Sequence, residues 1–107
     1  MIESGTAMRL ALVLTIVCTG AAAQDSFPGA QVKKGADLYE LNCAVCHGPR
    51  MRGPDWAPDL RSFPKTERMR FIDVVTHGKA AMPPWGDVLK ADEIDSLWAY
   101  LVAGDKN

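Results

Sequence analysis

Five consecutive residues, Cys43-Ala44-Val45-Cys46-His47, constrain this chain more than anything else in it. On a helical turn, side chains three and four apart face the same way. Cys43, Cys46 and His47 therefore present two thiols and an imidazole to one side. The rest of the chain is short of material for a core. Residues 48–64 hold Gly48, Pro49, Gly53, Pro54, Pro58 and Pro64, too many breakers for a long helix or a central strand. A small domain with long loops is marginal on its own apolar burial and commonly leans on a metal, disulfides or a cofactor.

The C-x-x-C-H spacing is the attachment pattern of c-type haem. Cys43 and Cys46 can form thioethers to the two vinyl groups along one porphyrin edge, and His47 can bind the iron from the proximal side. A zinc site needs more Cys or His ligands, and beyond this cluster and Cys18 the chain offers only His77. A thioredoxin-like dithiol belongs in a βαβ context, and no segment alternates like a strand. A lone disulfide has no use for His47.

Ahead of this domain the chain reads as an export signal. Met8-Arg9 precedes the apolar run from Leu10 to Val17, and Ala21-Ala22-Ala23 supplies a small-residue cleavage site. The run is too short to span a bilayer, which takes about 20 residues. Residues 1–23 are thus expected to be removed, with translation starting at Met1 or at Met8, and export places the mature chain in the periplasm. Cys18 would be a lipid attachment point in a lipoprotein signal, but Val17 is a poor fit immediately before such a cysteine. Taking 23 residues from 107 leaves 84, with 11 Lys/Arg and 12 Asp/Glu, a formal charge of −1. That balance gives no reason to expect nucleic acid. Arg50, Arg52, Arg61, Lys65, Arg68, Arg70 and Lys79 bias the middle basic, and Asp87, Asp92, Glu93 and Asp95 make the later part acidic.

The expected class is all-α, with about three helices and long loops wrapped around one covalent haem. Residues 24–31, with Pro28 and Gly29, read as a flexible terminus. Residues 32–104 read as the domain, and residues 105–107 as a tail. A first helix is expected from Val32 to Asn42, with Leu38 and Leu41 sharing a face. A second is expected from Thr66, as cap, to Thr76, with Met69, Ile72 and Val75 inward and Gly78 as the stop. The last runs over residues 91–102, with Ile94, Leu97, Trp98 and Leu101 on one face and Asp92 and Glu93 at its positive end. Gly104 ends it.

A six-coordinate iron needs a second ligand. Met51 follows His47 too closely to reach around the ring, and Met69 falls on the expected buried face of a helix. Met82 stands in the loop Met82-Pro83-Pro84-Trp85-Gly86, about 35 residues after His47, where two prolines leave the backbone little freedom to lose. His77 would give a bis-His site, but beside Gly78 it suits the negative end of a helix.

On these residues the chain resembles a class I cytochrome c over nearly all of residues 24–107. The first helix with Gly35 and Tyr39 resembles that family's first helix, which crosses the last one, here carrying Leu97 and Tyr100. Ala57-Pro58-Asp59-Leu60 is similar to the family's Pro-Asp-Leu element. The resemblance implies that the Pro58 carbonyl accepts the His47 Nδ1 proton, that Leu60 packs on the haem face, and that Trp85 lies near a propionate. Lys90 departs from the pattern, standing where the family often has Ser or Thr to cap the last helix. The Met-Pro-Pro-Trp-Gly and Leu-Trp-Ala-Tyr-Leu runs also look like small cytochromes that accept electrons from quinoprotein alcohol dehydrogenases.

The implied function is one-electron transfer rather than enzymatic turnover, with haem c and its iron as cofactor. The expected partners are redox proteins: a quinoprotein dehydrogenase as donor, and a terminal oxidase or another cytochrome as acceptor. The carrier is expected to be a monomer, without stable membrane insertion once the signal is cleaved. Two other readings stay open. One is a relay domain or subunit of a larger oxidoreductase. The other is a gas-binding sensor, which requires Met82 to leave the iron easily.

Overall fold

The computed structural model describes residues 11–17, 26–54 and 56–105. The expected cleavage point after Ala23 and Cys18 lie outside the described residues. Residues 11–17 form no regular element and are exposed, and their side chains are absent from the core.

Helix α1 spans Gly29–Asn42, α2 spans Ala44–His47, α3 spans Arg68–His77 and α4 spans Ala91–Ala103. Two 3₁₀ turns, Pro49–Met51 and Leu60–Ser62, lie in the loops. Among the described residues there is no strand, only a two-residue bridge between Lys79 and Met82. The class is all-α as expected. The additional helix is the single turn α2, which carries Cys46 and His47 and is capped by Cys43.

Several boundaries differ from expectation for local reasons. α1 begins at Gly29, inside the stretch expected to be flexible. The Pro28 carbonyl accepts the Gln31 and Val32 N–H groups at 3.0 and 3.1 Å, so proline serves as a ready-made cap. α3 is capped from Glu67 rather than Thr66, with no side-chain cap bond. α4 starts after Lys90 without a Ser or Thr, because the Glu93 carboxylate reaches back to accept the Lys90 N–H at 3.0 Å. Asp105, expected to open a free tail, has a side chain only 12 % exposed and pairs with Arg50 at 3.5 Å.

The core is built where α1 crosses α4. A Cβ on Gly35 would run into the Ser96 carbonyl and lie 2.9 Å from the Tyr100 Cβ, so only glycine lets the backbones approach this closely. Next to the crossing, the Tyr39 and Tyr100 rings pack at 5.5 Å. Trp98 and Ala99 are fully enclosed. Along α3 the inward residues are Phe71 and Val75, four apart, while Met69 is 73 % exposed. The three-residue spacing of Met69, Ile72 and Val75 thus misplaced the stripe by part of a turn. Phe71 and Val75 pack into the core beside α4, which leaves Met69 turned outward, and Arg68 reaches Asp95 on α4 at 2.8 Å.

Candidate functional site

One cavity collects residues from every helix. Tyr39 enters it from α1, Cys43 and His47 from the short-helix turn, and Phe71, Val74 and Val75 from α3. Leu97 and Leu101 come from α4, and the loops add Met51, Leu60, Phe63 and Met82. The wall is almost wholly apolar. Its polar and soft atoms are a thiol, an imidazole, a phenol and two thioethers.

The turn after His47 is set by a buried hydrogen bond. The Tyr39 hydroxyl donates to the Gly48 carbonyl at 2.6 Å. Burial is the main cause that pushes the Tyr39 phenol well above its ordinary value, with Cys43 adding to it, so it stays a donor. Gly48 has φ of 79°, and a Cβ there would meet the Arg52 and Gly53 backbone. The chain then doubles back through Arg50 and Met51, with φ of 56° and 61°, in the left-handed region. The Glu40 carboxylate accepts the Arg50 N–H at 3.0 Å and holds this bend. As a result Met51 is turned inward and only 2 % exposed. Sequence reasoning weighed Met51 solely as an iron ligand and missed it as part of the wall.

Cys43 is half-buried in the cavity and Cys46 is exposed, and neither is in a disulfide. Burial pushes the Cys43 thiol up to about 11, with a smaller push from Cys46. His47 Nδ1 lies 3.3 Å from the Pro58 carbonyl oxygen. With Nδ1 carrying the proton toward that oxygen, Nε2 is left with its lone pair free. Next to Pro58, the Asp59 carboxylate accepts the Arg61 backbone N–H at 2.9 Å and binds the Arg61 guanidinium at 3.0 Å. That guanidinium and N–H hold the Asp59 carboxyl below the usual carboxylate range. The bond caps the turn that presents Leu60 to the cavity.

Met82 faces the cavity from a pinned loop. The Lys79 N–H donates to the Met82 carbonyl at 3.1 Å, and the Met82 N–H donates back at 2.9 Å. The Trp85 and Gly86 N–H groups donate to the Val75 and Thr76 carbonyls of α3 at 2.8 and 3.1 Å. Trp85 is half-buried and packs on the core, but it is not among the side chains that line the cavity. His77 is exposed and 3.8 Å from Asp73, away from the cavity. Among the described residues no group of three His, Cys, Asp or Glu side chains is arranged to hold a metal by itself.

These residues suit a flat, apolar, iron-bearing ring. The Cys43 thiol and the His47 imidazole line the cavity, the Cys46 thiol stands exposed three residues from Cys43, and a thioether sits in a pinned loop. A bare metal ion would meet a greasy wall with too few ligands.

Comparison with known proteins agrees with this chemistry. The family described as cytochrome c oxidase, cbb3-type, subunit III matches residues 30–101. The chain is 32 % identical to cytochrome c6 of Bryopsis maxima over 83 residues, covering 68 % of this chain and 91 % of that protein. It is 31 % identical to cytochrome c55X of Pseudomonas aeruginosa over 106 residues, covering 92 % and 87 %. It is also 28 % identical to the quinohemoprotein alcohol dehydrogenase ADH-IIG of Pseudomonas putida, over 68 % of this chain but 10 % of that protein.

Proposed function

The chain belongs to the cytochrome c family as a class I, mono-haem member carrying covalently bound haem c with its iron, and we propose that it is an exported one-electron carrier. In this reading Cys43 and Cys46 form the two thioethers, His47 Nε2 is the proximal ligand and Met82 the distal one. The observation that carries it is that His47, oriented by Pro58, and Met82, pinned by its loop, face one apolar cavity.

The bound haem supplies reversible gain and loss of one electron at iron. The chain does the rest. The Pro58 carbonyl holds the imidazole in one tautomer and raises its basicity as a ligand. Leu60, Phe63, Phe71, Leu97 and Leu101 exclude water, which disfavours charge at the centre. With His47 and Met82 both holding the iron, no position would be left for substrate, and this ligand pair would raise the potential. Trp85 contributes through the loop, whose bonds to α3 keep Met82 from swinging away.

The donor we favour is a quinoprotein alcohol dehydrogenase, because a similar stretch, 28 % identical, lies within a quinohemoprotein alcohol dehydrogenase. A terminal oxidase or another cytochrome is the acceptor, and the periplasm is the compartment. Among the described residues no helix is long and apolar enough to cross a membrane. That recurrence within a larger enzyme also favours a second reading, a relay domain in a fixed complex, and co-purification with a dehydrogenase would establish it.

Absorption and resonance Raman spectra of the purified holoprotein test the ligand assignment. The expected result is a six-coordinate low-spin haem in both oxidation states that ignores carbon monoxide. Met82→Ala should open the site to carbon monoxide. A native ferrous protein that is five-coordinate and binds carbon monoxide at once would refute the carrier and support a gas sensor. Stopped-flow reduction by a purified quinoprotein alcohol dehydrogenase tests the donor.

A further inference from the structure

Of the three tryptophans, Trp56 is the one the fold leaves outside. It is 68 % exposed, whereas Trp98 is fully enclosed and Trp85 packs half-buried on the core. A side chain this large and apolar gains most when a partner covers it, and tryptophan is among the residues that dominate protein interfaces. Its loop is braced. Pro54 and Pro58 flank it with restricted backbone angles, and the Ala57 N–H donates to the Pro54 carbonyl at 3.3 Å. The Asp59 carboxylate ties down the Arg61 guanidinium at 3.0 Å. Pro54, Trp56, Pro58 and Arg61 surround a shallow hollow. An aromatic side chain on a braced loop has little freedom to lose when it is covered.

The hollow backs onto the proximal side of the haem site. The Pro58 carbonyl, two residues after Trp56, is the group that meets the His47 imidazole. Gly53, also in the wall of the hollow, lies so close that a Cβ on it would run into the His47 carbonyl.

Charge selects what would sit there. Residues 50–70 hold six Lys/Arg against three Asp/Glu, although residues 24–107 together carry a formal −1. Several of these cations gather beside the hollow. The Lys65 ammonium donates to the Arg61 and Phe63 carbonyls at 3.4 and 3.3 Å, and the Arg70 guanidinium lies 4.7 Å over the Phe63 ring. A concave surface with one aromatic side chain suits a protruding protein surface better than a flat bilayer.

We propose that this face docks an acidic electron-transfer protein, with Trp56 as its apolar anchor and Arg61, Lys65 and Arg70 meeting the partner's carboxylates. The proposal rests on the carrier reading and adds to it the face that is used and the charge of the partner. One electron leaves the reduced partner and turns ferric haem iron ferrous, and no atom changes hands. Opposite charge speeds the encounter, and the covered aromatic holds it.

The test uses the ferric holoprotein, with its haem content and low-spin spectrum checked first. Fully reduced flavodoxin, a strongly acidic protein, is the probe. Its anionic flavin hydroquinone gives up one electron and becomes the neutral semiquinone. In stopped flow at low ionic strength, Trp56→Ala should lower the second-order rate constant about tenfold. Lys65→Glu should lower it too and flatten its fall with added salt. The midpoint potential and the rate of reduction by free reduced riboflavin, which needs no docking surface, should stay native in both. Oxidised flavodoxin has no electron to give and reads docking alone: in NMR it should move the Trp56 indole N–H signal and leave those of Trp85 and Trp98 in place. A native flavodoxin rate in Trp56→Ala, a loss that riboflavin shares, or an unmoved Trp56 signal overturns the proposal. So does a Trp56 signal broadened by phosphatidylglycerol vesicles but not by flavodoxin, which would make the face a membrane contact. A native protein without haem, or one that riboflavin does not reduce, sinks the carrier reading instead.

Discussion

Replacing Gly35 by Ala tests the helix crossing on which the cavity depends. The added Cβ would strike the Ser96 carbonyl and sit 2.9 Å from the Tyr100 Cβ. Neither obstacle is the far end of a flexible side chain, so the helices must part. Overpacking of this kind destabilises by about 3 kcal/mol at the upper end of the usual range. Alanine returns about 1 kcal/mol through better helix propensity. The net loss is therefore about 2 kcal/mol, which for a domain of this size lowers the melting temperature by about 8–16 °C. Thermal unfolding of the holoprotein followed by circular dichroism reads it directly. Gly29→Ala is the control, because nothing lies within 4 Å of the Cβ it would add. It should be neutral or slightly stabilising. A Gly35→Ala protein as stable as the native one would mean that α1 and α4 do not approach as described.

Tyr39→Phe leaves the buried Gly48 carbonyl without its donor and should cost about 1–3 kcal/mol in denaturant titration, with little change in ring packing. The Asp59 carboxyl is held below its usual range in the folded state, mainly by its bonds to Arg61, so its contribution is present at neutral pH. That contribution fades as pH falls below the unfolded value of about 3.9 and through the folded one. Asp59→Asn removes that contribution, so the denaturation midpoint should fall modestly at pH 7 and match the native one in acid, flattening this limb in a plot of midpoint against pH. Met69→Gln should shift stability by no more than about 0.5 kcal/mol in the same titration, because Met69 is 73 % exposed.

What could be read in advance was chemistry that sits close together in sequence. The Cys43–His47 segment, the proline-flanked Met82 and the face of α4 each announce themselves within a few residues, through spacing that physics restricts. The resemblance to a family added Pro58, whose carbonyl lies 11 residues beyond the imidazole it meets. What escaped depends on contacts across the fold. Met69 was misplaced because the rotation of α3 is set by its neighbours on α4, which no local period records. The start of α1 was missed because Pro28 and Gly29 look like loop residues until the proline carbonyl is seen capping a helix. Trp98 read as one apolar residue among four, and nothing in its spacing signals full enclosure.

Met51 is the clearest case, and it leads to a test with an unusual ordering. Two consecutive non-glycine residues, Arg50 and Met51, take left-handed backbone angles so that the Met51 side chain can fill the wall beside His47. That conformation costs a residue with a Cβ about 1 kcal/mol, a cost glycine does not bear. Removing the buried side chain costs about 2–5 kcal/mol. Met51→Ala loses the side chain and keeps the strained backbone, whereas Met51→Gly loses slightly more volume but relieves the strain. The glycine variant should therefore be the more stable of the two by up to about 1 kcal/mol, although both fall below the native protein. At an ordinary helical site the order is reversed. Denaturant midpoints for the two holoproteins settle the matter. If alanine is the better tolerated, Met51 is not held in the left-handed region, and the bend that carries it into the haem wall is drawn wrongly.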